Sequence, residues 1–291
     1  MAKRKNQHPD NLDSDDDDDN DPSERSLVNV DFDFFDPHPD VDYLALKRLA
    51  TQLFQADAEL FHLNDLADLI LSQPLVGTTV KCDGRESDPY AVLTVLNMHI
   101  HQNRPAIRAL TEYALAKSSV DPAFHAILQN LLGPAGLASQ NHVGLIFSER
   151  LINMPVQIAP HMYRMLADEI QWALDDNEPY RFTHLLFISR TYHLSPEEEA
   201  EMAGPAPRGK RQKQGAAPPL QSSTSGTYPF HPEDDVVKTI ALHTLDYAFS
   251  KAQPREEDAF GLDMGGRMML VSADRLRELV NGLNQAYPPP S

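Results

Sequence analysis

The sequence predicts an α+β fold, a mixed and mostly antiparallel sheet flanked by helices. Three observations carry this. Short apolar runs of strand character alternate along the chain with stretches of helical period. The helical stretches come in local pairs between strands, whereas a regular doubly wound fold sets single helices there. The run 90–98 is nearly all apolar, as a central strand buried on both faces would be.

Each element has its own signal. Val28, Val30, Phe32 and Phe34 alternate with Asn29, Asp31 and Asp33, which gives a first strand one apolar and one acidic face. Tyr43, Leu46, Leu49, Ala50 and Leu53 recur at helical spacing behind Pro39, Asp40 and Asp42, residues that suit a helix start. Leu60, Leu63, Leu66, Ala67 and Ile70 repeat the pattern. Segments 76–82 and 90–98 read as strands joined through Asp83-Gly84 and Asp88-Pro89. Pro105 opens a helix through Ile107, Leu110, Ala114 and Leu115; Asp121-Pro122 opens another that Gly133-Pro134 closes. Segment 143–148 is a buried strand, 160–174 a helix with the only tryptophan, Trp172, and 182–192 a long strand. Periodicity leaves 236–249 open between helix and strand; the reading adopted is a strand at 242–249. A short strand follows at 267–271. Ser272 then caps a last helix striped by Leu276, Leu279, Val280 and Leu283.

Composition divides the chain. Residues 1–26 read as a disordered acidic tail, since seven aspartates and one leucine between Asn11 and Asp21 offer nothing to pack. Residues 27–194 and 230–287 read as one globular core. Between them, 195–229 turns rich in Pro, Gly and Ser and reads as a flexible insertion.

The chain has 291 residues, with 43 Asp plus Glu against 25 Lys plus Arg, a net charge of −18. Such a surface repels nucleic acid phosphates and anionic headgroups, so basic proteins are the natural partners. Asp15, Asp16, Asp17, Asp18 and Asp19 in the tail, and Asp31 and Asp33 on the first strand, are the candidate partner-binding acids; an acidic tail also serves solubility alone. Cys82 is the only cysteine, which rules out an internal disulfide and a thiolate cluster for zinc. No long apolar stretch follows Met1, and no run is long enough to span a bilayer, so membrane insertion is not expected and an intracellular compartment is.

Catalytic signatures are missing: there is no Gly-x-Ser-x-Gly elbow, phosphate loop, Gly-x-Gly-x-x-Gly or His-Glu-x-x-His. His99 and His101 stand two apart at a strand end and read as two surface imidazoles, because no third ligand is near in sequence. No catalytic residue, cofactor or metal is assigned. Arg208, Lys210, Arg211 and Lys213, in a Pro/Gly-rich segment of an acidic chain, read as a nuclear import signal, with a plain solvated loop as the alternative. Ser14, followed by three aspartates, suits an acid-directed kinase.

At 149–155, Glu-Arg-Leu-Ile-Asn-Met-Pro, followed by Ile158, Met162, Tyr163 and Leu166, the chain resembles the BCCIP family. The acidic tail, the opening strand, the run Phe-Thr-His-Leu-Leu-Phe-Ile-Ser at 182–189, the basic insertion and the strand at 268–271 with its final helix match in the same order. The resemblance covers essentially residues 27–286. It implies an acetyltransferase-like (GNAT-like) fold without established catalysis, in proteins of the nucleus that shuttle to the cytoplasm. Animal members resemble adaptors for a cell-cycle inhibitor and a DNA-repair protein. Fungal members, which the Pro-rich insert and short C-terminus resemble, act as nuclear chaperones for a large-subunit ribosomal protein and assist nuclear export of a phosphoinositide kinase. The implied partners are that basic ribosomal protein, a nuclear import receptor and the kinase, with no direct nucleic acid contact.

One observation weighs against residual acetyl transfer. True acetyltransferases place a glycine-rich turn between a strand and a helix, where bare amides cradle the cofactor pyrophosphate. The corresponding step here, 143–166, offers Asn153-Met154-Pro155 and Ala159-Pro160, with two prolines that lack an N–H.

Overall fold

The structure, a computed structural model, describes residues 31–203, 226–252 and 263–288. Ser14, Asp15 to Asp19, Arg208, Lys210, Arg211 and Lys213 lie outside the described residues.

Strand β1 (Asp33–Phe35) leads through Pro39 at the first helical position into α1 (Pro39–Phe54). Asp42, expected only to favour the helix start, is fully buried: it accepts the His38 N–H at 2.8 Å and the Lys81 ammonium at 2.6 Å. A 3-10 turn (Gln55–Leu60) separates α1 from α2 (Leu63–Leu71), so the second helix begins later than the periodicity suggested. The hairpin β2 (Thr78–Lys81) and β3 (Ala91–Asn97) follows, with every residue of β3 buried. Next come α3 (Pro105–Ser118), α4 (Pro122–Leu132) and a single turn, α5 (Pro134–Leu137). Asp121 caps α4 by accepting the N–H groups of Ala123 and Phe124 at 3.0 and 3.1 Å.

Strand β4 (Val143–Arg150), α6 (Ile158–Asp175) and β5 (His184–His193) form the one βαβ unit among the described residues. The segment read as a wholly flexible insertion has structure at both ends, α7 (Pro196–Ala203) and the short strand β6 (Thr227–Pro229). The ambiguous stretch splits into α8 (Asp234–Ile240) and β7 (His243–Ala248), which hydrogen-bonds to β8 (Asp263–Ser272). Ser272 does not cap the last helix with its side chain; a 3-10 turn (Ala273–Arg275) leads into α9 (Leu276–Ala286).

The sheet runs β1-β2-β3-β4-β5-β8-β7, with β6 added to the free edge of β5. Every pairing is antiparallel except β4 with β5. Strand alternation sorts the core into two layers. Val92, Leu145, Phe147, Leu186 and Met268 face α1 to α4, whereas Leu93, Ile146, Leu185, Phe187 and Met269 face α6, α8 and α9. The α+β reading therefore holds, with helices on both faces of a mixed sheet.

Strand β8 is twice the length its apolar run announced, because Gly265 and Gly266 extend it. Gly266 sits opposite Tyr247, whose ring lies where a Cβ at 266 would go. Gly266→Ala is expected to cost about 1–3 kcal/mol by overpacking, read as a lower urea midpoint with unchanged slope.

Candidate functional site

Open sheets take ligands where adjacent parallel strands part, and this sheet has one such place. β4 and β5 pair only from Val143 to Ile146 against His184 to Phe187. Beyond that point β4 stays with β3 and β5 stays with β8, so Phe147 to Arg150 and Ile188 to His193 separate into a wedge.

Charged side chains of the chain itself fill the wedge. Glu149, buried, accepts Arg190 Nε at 3.0 Å and Nη2 at 2.8 Å, which ties the two diverging strands together. The same carboxylate lies 2.6 Å from His231 Nε2 and accepts Gln52 Nε2 from α1 at 2.9 Å. Arg150 makes a second bidentate pair, to Glu233 at 3.0 and 2.8 Å, and donates to the Met154 carbonyl. His231 and Glu233 belong to the segment that enters α8, and Phe230 before them lies under the Arg190 guanidinium at 3.7 Å. That segment closes the wedge as a plug.

Burial raises the Glu149 carboxyl, but His231 and Arg190 outweigh it and hold the group below the usual carboxylate range. Glu233 follows the same course, with Arg150 as the dominant opposing partner. Asp234 is the exception. Burial and then the neighbouring Glu233 charge push it up to about 7, and its Oδ2 has no hydrogen-bond partner among the described residues.

This donor set lacks the glycine-rich turn that cradles a pyrophosphate. In the step from β4 to α6, Pro155 and Pro160 lack an N–H, and the amides of Ile158 and Ala159 already donate to Pro155 and Val156. Inside the wedge, Glu149 and Glu233 neutralise the arginines that would otherwise attract an anion.

Asp31 and Asp33 are both exposed, while Phe32 and Phe34 turn toward the α6 side of the core. The first strand is shorter than the alternation read from the sequence: β1 begins at Asp33, so Asp31 and Phe32 precede it, and residues 28–30 lie outside the described residues. His99 corrects the expectation of a surface imidazole: it is buried past the end of β3, accepts the Val143 N–H at 3.2 Å and stacks on His142. Burial lowers the pKa of both His99 and the half-buried His101. No group of three potential metal ligands occurs among the described residues. Cys82 is half-buried, and burial with the charges of Asp83 and Asp33 raises its thiol. No helix among the described residues is long and apolar enough to cross a membrane. A separate groove of about 540 Å³, lined by Thr51, Phe61, His62, Leu63 and Pro105, contains none of the nominated residues.

The wedge network was not anticipated as a site. Its signal was Glu149, Arg150 and Arg190 standing inside apolar strand runs, where ionised side chains must find partners.

The fold and the wedge define a helix-covered mixed sheet whose parallel seam is sealed by internal ion pairs. The chain belongs to the BCCIP family, whose sequence model, described as BCCIP, matches residues 27–237. Protein bcp1 of Aspergillus fumigatus is 42% identical over 272 residues, covering 91% of this chain and 89% of that protein. Protein bcp1 of Schizosaccharomyces pombe is 40% identical over 270 residues, covering 91% and 92%. The crystal structure of BCP1 from Saccharomyces cerevisiae matches the fold with a TM-score of 0.59 at 24% identity, covering 93% of each chain.

Proposed function

We propose that this chain is a non-enzymatic nuclear chaperone that escorts a basic large-subunit ribosomal protein, acting in nuclear protein export and ribosome biogenesis. The observations that support the reading are the net charge of −18 and the exposure of Asp33 on β1 and of Asp31 ahead of it. An escort must cover the Lys and Arg with which its client meets RNA, and fixed carboxylates do so without ordering cost. The sealed wedge favours binding over catalysis, since it offers no crevice at the seam for a GNAT-like cofactor. Nuclear entry is assigned to Arg208, Lys210, Arg211 and Lys213.

Surface-binding kinetics with a basic large-subunit ribosomal protein test the reading. Asp31→Lys with Asp33→Lys is expected to speed dissociation about tenfold while the variant keeps its melting temperature. Deleting residues 1–25 is expected to slow association and leave dissociation nearly unchanged, because screening over about 8 Å limits a charge-only tract to steering. Faster dissociation on the deletion, or none on the double reversal, would put the client on another surface.

A further inference from the structure

Helix α6 buries Ile158, Met162, Tyr163, Leu166 and Ala173 against the sheet. A solvent-facing flank of the helix holds the only tryptophan of the chain, and Trp172 is 62% exposed. Helical spacing sets Asp168 four residues before the indole, with Asp175 and Asp176 three and four after it, so three exposed carboxylates surround one exposed aromatic ring. Among the described residues no Lys or Arg forms an ion pair with any of the three. Half-buried Met165 continues the apolar line toward the start of the helix.

This face runs on to the sheet edge. His161 of α6 packs on Phe34 of β1 with ring centroids 4.3 Å apart, and Asp33 and Asp36 beside Phe34 are exposed. Glu169 accepts the Gly77 N–H at 2.9 Å, which holds the loop bearing Leu75, 38% exposed, against the same helix. An apolar centre results, with a border that is acidic except at exposed Arg164, whose Nη2 lies 2.7 Å from His161 Nδ1.

The chemistry selects one class of occupant. A guanidinium lies flat on an indole and sends its N–H fork to neighbouring carboxylates, whereas an ammonium gains the charge attraction with less of the stacking. Nucleic acid and anionic membrane are repelled by the same acids. We infer that the outer face of α6, centred on Trp172, docks an arginine-bearing segment of a basic polypeptide. The inference rests on the proposed client being basic and gives that client a contact surface.

Because Trp172 is the sole tryptophan, the emission of the full chain reports on this face. The full chain is titrated with an arginine-rich synthetic peptide and with its lysine counterpart of equal charge, and the fluorescein-labelled peptides are then followed by anisotropy. The arginine peptide is expected to shift the emission and to bind about tenfold tighter than the lysine peptide. Trp172→Ala, and separately Asp168→Lys with Asp175→Lys, should each weaken it about tenfold at an unchanged melting temperature. Binding with no emission change and with equal affinity for Trp172→Ala would overturn the assignment and leave the basic-client reading standing. An emission change that follows protein concentration without peptide would overturn it in favour of self-association. Failure of both peptides to bind at low salt would remove both readings.

Discussion

Glu149→Ala is expected to cost about 3–5 kcal/mol, enough to remove much of the stability of an ordinary domain. The size follows from what the truncation leaves behind. Arg190 and His231 both converge on this carboxylate, and Arg190 is 2% exposed, so its charge would stay buried without a counter-charge. Gln52 Nε2 would lose one of its two acceptors and keep the Arg150 carbonyl. Glu149→Gln retains a carbonyl oxygen and should cost less. Replacing the pair together, Glu149→Leu with Arg190→Met, should also cost less than Glu149→Ala alone, since neither variant side chain needs a partner. Urea unfolding of the three variants decides it. A single-variant loss under about 1 kcal/mol would mean that water reaches the wedge and that it is not the sealed joint described above.

Asp234→Asn is expected to stabilise the protein increasingly as pH rises. A free carboxyl titrates near 3.8, and in the folded chain Asp234 is pushed up to about 7. Between those values the folded state holds a proton that the unfolded state has released, so stability falls as pH climbs from about 4 to 7. The contribution is whole below that window and gone above it. Glu233 opposes the charged form, and His231 and Arg267 favour it. Asparagine keeps the neutral shape at every pH, so its advantage should grow by about 2–3 kcal/mol between pH 5 and pH 8. Glu149 and Glu233 act in the opposite sense, because their pKa values are lowered and their contribution is lost as pH falls through the folded values. Urea unfolding at both pH values gives the difference directly; parallel curves for the two proteins would show that Asp234 does not hold its proton.

The elements that could be read from sequence were those whose signal is local. Pro105 and Pro122 mark helix starts, the alternation of Phe32 and Phe34 with Asp31 and Asp33 marks one apolar and one acidic side, and the nearly all-apolar run of β3 marks a strand inside the sheet. What stayed hidden depends on partners distant in sequence. Glu149 meets Arg190 and His231 some forty and eighty residues away, and no spacing rule links them. Gly265 and Gly266 break a strand pattern unless the Tyr247 ring opposite is known. His99 looked like a surface residue because the Val143 amide that it accepts lies on another strand. The exposure of Asp31 and Asp33 was legible through period two, whereas that of Trp172 required knowing which side of α6 meets the sheet.

The lone parallel seam also orders the chain in time. Strands β1 to β4 occupy Asp33–Arg150 and neighbour one another in sequence order, so the first half of the sheet closes through successive antiparallel pairings. The second half, β5 to β8, begins only after α6 has crossed over. During synthesis the first half therefore emerges complete while its last strand still has an open edge, and the carboxylate of Glu149 waits for an arginine not yet made. A nascent chain that ends between residues 150 and 184 still lacks the strand that pairs with this edge and the arginine that pairs with Glu149.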